Sequence, residues 1–596
     1  MARPGVVRWA AAALVATALA GCAHVPDSGP AVPIAVSGGS PGGEASNSSV
    51  NTELPGPSGD ADTSVRSYVN ALLTTRNPGP LGDRYLPTKA LRTAFSQIRS
   101  VVIVKGDITT SVAPIAAQAD TTTATFRADL LGTVDSDGVF QHGENPSWQL
   151  QVRIQLVRGN WVFAEPPPII VKTDQFGTAF SEQTVYYAAA PSAITGTNPR
   201  LVVPETRYVN EDISDQPSQL VDYVLAGPSA ELSRVAANPL PNIKRTRRVA
   251  VEDGDLIIEL EPEAESASKE ALNAFVAEVG WSLSDSFQGA VRLLVGGRPL
   301  DVDGFAATQP QSVWRRYNPA VVSEPGLPAF QIRNGAVREL TPGGNTEPDR
   351  PGLKRPILQK GVHSAAVSVD LTRLAIVRDE PGGGQRLWVA DASGTLQPTL
   401  RAPEIGRPTW GGNRSTVAVP INGRVLEVGV GNVSRPTEVR VIGPGGRSLT
   451  DVSAIRLSLD GVRGLVINGE GSTAKLYYGT LTGATGGVLV LTVRELEVDG
   501  TPRDVSWYGL ANAAVAVEQA NGRISVVLAP IDGTPAHSQS SDRSAPFPTT
   551  VRIAADPTAN PEDSIPLEVG GKIVDYSVNS RPLNPDTPGA APFYPG

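Results

Sequence analysis

The 596-residue sequence predicts a multidomain chain, α+β and then all-β, in which two α+β domains precede a C-terminal β-propeller of about six blades. Three observations predict it. Before residue 307, helical periodicity twice gives way to period-two alternation. After it, four similar segments recur at spacings of 43, 47 and 50 residues, anchored on Asp370, Asn413, Asp460 and Leu510. Sixty glycines and 52 prolines, against 5% aromatic residues, require many turns and hence much β-structure.

The chain opens with Arg3 and Arg8, an apolar run from Trp9 to Ala20, and then Cys22, the one cysteine in the sequence. This is the layout of a secretory signal, and the apolar run is shorter than the roughly 20 residues a membrane span needs. Leu19-Ala20-Gly21-Cys22 resembles the bacterial lipobox. That resemblance implies cleavage before Cys22, which then carries an S-diacylglyceryl group and an N-acyl chain such as palmitate. An ordinary secretory signal with an incidental cysteine is the competing reading. One acyl chain holds a protein only marginally, whereas three anchor it durably. The expected location is the outer face of the cell membrane. From Ser37 to Asp60 the sequence is Ser/Gly/Pro-rich and lacks the apolar residues a core needs. Residues 22–60 are thus expected to form a lipidated tether, whose Ser37–Asp60 part spans roughly 25–30 Å as a flexible coil.

Residues 61–180 form the first predicted domain. In "TSVRSYVNALL", Val65, Tyr68, Val69, Leu72 and Leu73 share one helical face, and "YLPTKALRTAF" reads as a second helix. From Val101 the pattern turns to strands. Trp148, Leu150, Val152, Ile154 and Leu156 alternate with polar neighbours, and Arg158-Gly159-Asn160 makes a turn. Helices followed by a curved antiparallel sheet resemble the NTF2-like or cystatin-like domains of exported proteins.

Residues 181–306 form the second. The strand "QTVYYAAA", the strand "PRLVVPETRYVN", a helix ended by Gly227-Pro228, a hairpin at Gly254, a helix from Ser268 and the strand "GAVRLLVGG" follow in order. Val249, Val251, Leu256, Ile258 and Leu260 are expected on one face of that hairpin. The order resembles the GerMN domain of sporulation and germination proteins, an interaction module with no catalytic residues to transfer. "KRTRR" supplies a dense basic cluster, Lys244, Arg245, Arg247 and Arg248. It reads either as a solvated strand edge or as a contact for anionic lipid heads or an acidic partner.

Residues 307–596 hold the repeats. Each runs strand, turn, strand, then a further hairpin, and four strands per 40–50 residues is the arithmetic of a propeller blade. A pair of β-sandwiches is the alternative. The repeats carry their own turns, so the propeller is expected to fold as a separable unit.

Lipobox, tether, α+β domain, GerMN-like domain and propeller, in this order, resemble the LpqB lipoproteins of actinobacteria along nearly the whole chain. The resemblance implies an accessory role to a two-component system, the MtrB sensor kinase with its regulator MtrA, linked to cell-wall homeostasis and division. The expected partner is the kinase's extracytoplasmic domain.

Other classes fare worse on the residues. A formal charge of −9 argues against nucleic acid as a partner. His24, His142, His363 and His537 are scattered and show no metal spacing, and neither a nucleophile elbow nor a phosphate loop occurs. The expectation is a protein that is not an enzyme and needs no cofactor, with a carboxylate pair assembled by folding as the route to a glycosidase. Trp410, Trp507 and Tyr508 offer stacking surfaces for cell-wall sugars, or else belong to blade cores.

Overall fold

The computed structural model describes residues 54–75, 78–98, 100–143, 145–190, 200–210, 215–317, 327–340, 361–390, 395–412, 415–430, 432–483, 487–535, 537–539, 550–558, 561, 564–576 and 587–596. Cys22, the apolar run before it and Asn413 lie outside the described residues. Leu54–Gly596 packs as one compact unit.

The first helix, Ala61–Thr74, starts where Asp60 accepts a hydrogen bond from the Thr63 backbone N–H at 2.8 Å. Such a cap contributes about 1 kcal/mol. Val65, Tyr68, Val69 and Leu72 are buried as their spacing predicts, with Leu73 at the core's edge. The second expected helix is two, Gly79–Tyr85 and Lys89–Ser96, the latter capped by Thr88. The helices accompany a six-stranded sheet. Its order is Asn160–Phe163, Ser147–Val157, Thr121–Val134, Val101–Val112 and Ile170–Lys172, with Phe140–His142 beside Thr121–Val134. The sheet is mixed, since Ile170–Lys172 pairs parallel to Val101–Val112. Residues 164–169, three of them proline, carry the chain from one edge to the other. Val152 and Ile154 are buried, whereas Leu150 and Leu156, nearer the strand's ends, are 38% and 41% exposed.

In the second domain the hairpin Phe180–Ala188 and Val202–Asn210 packs on the helices Gln216–Ala226 and Lys269–Ser282. Asp255–Leu260 and Val291–Val295 pair in parallel. A parallel pair needs a crossover, and the helix Lys269–Ser282 supplies it. Gly227, with φ of 89°, ends the first helix; a Cβ there would meet Asn238 Cβ at 3.0 Å. Leu256, Ile258 and Leu260 are buried, but Val251, on the edge strand, is 63% exposed. Thr308–Gln309 pairs with Val291–Val295, and the wholly buried Trp314 packs on Trp281 and against Gly280. The domain's core therefore runs beyond residue 306. Glu278 is also wholly buried; its Oε1 accepts from Ala188 N at 2.7 Å, its Oε2 has no partner, and burial pushes its carboxyl well above the usual range.

Beyond residue 327 the strands group into antiparallel units around a ring. The strands Val362–Val367, Thr409–Trp410, Val452–Leu457, Thr501–Tyr508, Val551–Ile553 and Ala590–Phe593 each contact the next, and the last contacts the first. Three outer strands follow each of the first five, while Ala590–Phe593 pairs back with Phe330–Arg333 and so joins the start of the region to its end. One irregularity stands out: Asn432–Ile442 and Leu489–Leu496, both outer strands, pair in parallel and fuse two units.

The repeat residues explain the turns. Ser368 Oγ donates to Asp370 at 2.6 Å and accepts from Arg373 N; Ser458 does the same with Asp460 at 2.5 Å and Arg463 N. Trp410 Nε1 donates to Ala366 O and Trp507 Nε1 to Arg456 O, each at 3.1 Å. Each indole thus staples its strand to the preceding inner strand.

The three domains share contacts. Leu459, Val462, Leu510, Ala554 and Tyr594 of the propeller lie in one continuous apolar core with the second domain. Tyr208 OH donates to Asp532 Oδ2 at 2.7 Å, and Arg494 Nε to Glu231 Oε2 at 3.0 Å. Toward the first domain, Tyr208 N donates to Gly138 O and Arg207 Nη1 to Asp137 O, each at 2.8 Å.

Tyr208→Phe is expected to cost roughly 1.5–3 kcal/mol, the value of a hydrogen bond to a charged group, read by urea denaturation. A Gly304–Gly596 fragment exposes the five propeller residues of that shared core. It is expected to bind a hydrophobic dye and self-associate where the full chain does not; a monodisperse fragment that melts cooperatively would show that this face needs no cover. For Glu278 the folded-state pKa lies above the unfolded 4.5, so its stabilising contribution is intact below that pH and is lost as pH rises. Glu278→Gln should therefore melt with wild type near pH 4.5 and above it at about pH 8, a gap that thermal unfolding across pH measures.

Candidate functional site

Between the second domain and the propeller lies a cleft of about 730 Å³. The strand Phe180–Ala188 contributes Gln183 and Tyr186, and the start of Gln216–Ala226 contributes Gln216. The end of Lys269–Ser282 and the turns after it contribute Trp281, Ser284 and Asp285; Arg315 and, from the propeller, Leu510 complete the walls. These groups are held by local bonds. Ser282 Oγ accepts from Tyr186 N at 2.9 Å, and Trp281 Nε1 donates to Trp314 O at 3.2 Å. The two indoles meet edge to face at 5.4 Å. Burial, with the Asp285 charge adding to it, pushes the Tyr186 hydroxyl up, so that it stays a hydrogen-bond donor. Amides, hydroxyls and one carboxylate over aromatic side chains suit a polar ligand with an apolar face.

The basic cluster lies beside the strand Asp255–Leu260, where Arg245 bridges to Leu260. Arg245 pairs with Asp222 at 2.7 Å, Arg248 with Asp215 at 2.6 Å and Arg247 with Glu259 at 3.1 Å. The Lys244 backbone N–H donates to Glu261. Arg247 and Arg248 stay largely exposed, although their partners Glu259 and Asp215 are mostly covered. His142 and His363 fall in different domains, and His537 begins an outer propeller strand. Among the described residues no group of three metal-ligating side chains assembles. Trp410 and Trp507 are blade core, closed to a sugar; Tyr508 is half-buried beside the core of the last two units. The cleft residues carry no motif, and their one sequence signal is Trp281 near the end of the helix Lys269–Ser282.

Comparison with known proteins agrees with this architecture. Residues 354–560 match the family described as the lipoprotein LpqB beta-propeller domain, and residues 184–301 match the family described as sporulation and spore germination. The chain is 27% identical over 558 residues to lipoprotein LpqB of Rhodococcus opacus, covering 88% of this chain and 87% of that one. It is 25% identical to lipoprotein LpqB of Mycobacterium bovis, covering 97% of each. Among solved structures, the tandem GerMN domains of GerM from Bacillus subtilis match 23% of this chain and 46% of theirs, with 20% identity and a TM-score of 0.19. The chain thus carries both matched domains in this order and is similar to LpqB lipoproteins over nearly nine-tenths of its length.

Proposed function

We propose that this protein is anchored through acylated Cys22 to the outer face of the cell membrane, and that it acts there as a non-catalytic accessory to a sensor histidine kinase, MtrB-like as the family resemblance implies. The observation that carries the reading is the continuous core joining the GerMN domain to the propeller. A module of an interaction class is thereby held in fixed orientation on a large surface. A tether makes weak contacts effective by raising local concentration. Of the basic cluster, Lys244, Arg247 and Arg248 are offered as contacts for anionic headgroups or an acidic partner, with Arg245 held back by Asp222.

The cleft favours a second reading, a cell-wall or glycan-binding assembly factor, because Trp281 and Tyr186 stand among amides and Asp285. Deleting the protein is expected to change regulator phosphorylation at equal kinase abundance. The unacylated chain is expected to bind the kinase's extracytoplasmic domain. Unchanged phosphorylation with disturbed wall architecture, and retention on purified peptidoglycan, transfers the assignment to the second reading. Cys22→Ser is expected to abolish acylation and stall processing, as mass spectrometry reports; a mature Cys22→Ser protein still carrying diacylglycerol would overturn the anchor.

A further inference from the structure

The propeller channel differs at its two ends. At the end facing the GerMN domain, residues Phe593–Gly596 fill it: Gly596 N donates to Val367 O, Trp410 N donates to Gly596 O, and only about 30 Å³ is left beside them. The other end opens into a cavity of about 430 Å³. Its deep wall is charged. Arg407 and Arg456 are 8% and 6% exposed and converge on one carboxylate, Asp504, at 3.3 and 2.9 Å. Arg552, half-buried, lines the same wall. Asp504 also accepts from Ile553 N at 2.9 Å, so both its oxygens are engaged. Burial would raise its carboxyl, but Arg456 and Arg407 outweigh that and hold it low, hence ionised.

Among the described residues, Arg407, Arg456 and Arg552 therefore share one deep carboxylate, Asp504. Glu568, which also feels the Arg552 charge, accepts from Ala591 N at 2.8 Å, and burial raises its carboxyl, which makes it a weaker counter-charge. The imbalance registers on Arg407, which burial and neighbouring Arg456 push down to about 9. Arg456 Nε and Ser364 Oγ, both in buried side chains that line this cavity, have no hydrogen-bond partner among the described residues. The rim carries Glu404, Glu470 and His363, with Arg503 paired to Glu518. Buried charge without a counter-ion is costly, and guanidinium groups match the planar forks of carboxylate and phosphate.

We propose that the open end of the propeller channel is an oxyanion-binding site, which takes a carboxylate or phosphate group between Arg407, Arg456 and Arg552 with Ser364 as a further donor. The cavity has the size of a small-molecule site or of one that takes the end of a chain. It lies at the channel end opposite the cleft, so it is independent of the kinase and glycan readings.

The test is calorimetric titration of the full chain with citrate in one arm and pyrophosphate in the other, which separates carboxylate from phosphate as the preferred group. One-to-one binding of at least one probe is expected, weakening between low salt and about 0.2 M salt. Arg552→Gln should lower the affinity about tenfold, and Arg407→Gln by at least as much if its melting curve shows a folded protein. Arg494→Gln, at the GerMN interface, should bind as wild type. No binding of either probe, or equal binding by wild type and Arg552→Gln, overturns the proposal. Arg552 is half-buried and in no ion pair within the shared core, so its variant decides even if Arg407→Gln does not fold.

Discussion

The arrangement of the whole folded body depends on two consecutive residues, Arg207 and Tyr208. They sit on one strand, Val202–Asn210, and point to opposite sides of it. Arg207 is wholly buried and must find acceptors, because an unpaired guanidinium in the interior is far costlier than a paired one. It finds Glu205 at 2.6 Å, Gly227 O at 2.9 Å and Asp137 O in the first domain, and lies over the Tyr187 ring at 5.2 Å. Tyr208 binds the first domain through its backbone and the propeller through its hydroxyl, while Tyr223 OH donates to its carbonyl at 3.0 Å. A single strand therefore fixes three domains, and Gly138 must be glycine-like here: φ is 73°, and a Cβ would meet Tyr223 at 2.7 Å.

The last seven residues have a comparable double use. Ala590–Phe593 closes the ring, Tyr594 enters the core shared with the GerMN domain, and Gly596 bonds to inner strands inside the channel. Closure, docking and plugging are thus one event in space. It follows that the propeller's two faces are chemically unlike. One is apolar and covered, and the other opens on charge.

Much of this was legible in the sequence. The Ala61–Thr74 helix, the two helices and the Gly254 hairpin of the second domain and the polar turns at the Asp370 and Asp460 repeat positions follow from spacing and turn chemistry, whereas the parallel pairing of Asp255–Leu260 with Val291–Val295 does not. The Trp410 and Trp507 positions follow from the repeat. The cleft and the channel did not show, for two physical reasons. Leu459, Val462 and Leu510 read as ordinary blade apolars, because a sequence does not say whether a buried face meets its own sheet or another domain. Arg407, Arg456 and Asp504 are charges in or beside short strands, a pattern that solvated strand edges share. They are buried because those strands form the innermost ring, a position fixed by closure rather than by local pattern. Val251 misled in the opposite sense, since alternation marks the core face of a strand without saying how far the cover extends.

Two buried carboxyls bear on chemistry as well as stability. A general acid or base needs access to its substrate and a pKa near working pH. Asp504 is held ionised by two guanidinium groups and an amide, with no capacity to take a proton at neutral pH. Glu278 is held protonated, but it is sealed beneath the hairpin Phe180–Ala188 and Val202–Asn210 with no solvent exposure. Both are used within the fold. The cleft between the second domain and the propeller presents amides, aromatics and Asp285, and the channel mouth presents guanidinium groups with Glu404 and Glu470. Under the accessory function proposed above, binding influences a receptor by the difference in affinity for its two states, and a hundredfold difference supplies about 2.7 kcal/mol. A rigid body serves that purpose better than jointed domains, because a joint would relax and let both states bind alike. The strand carrying Arg207 and Tyr208 removes the joints.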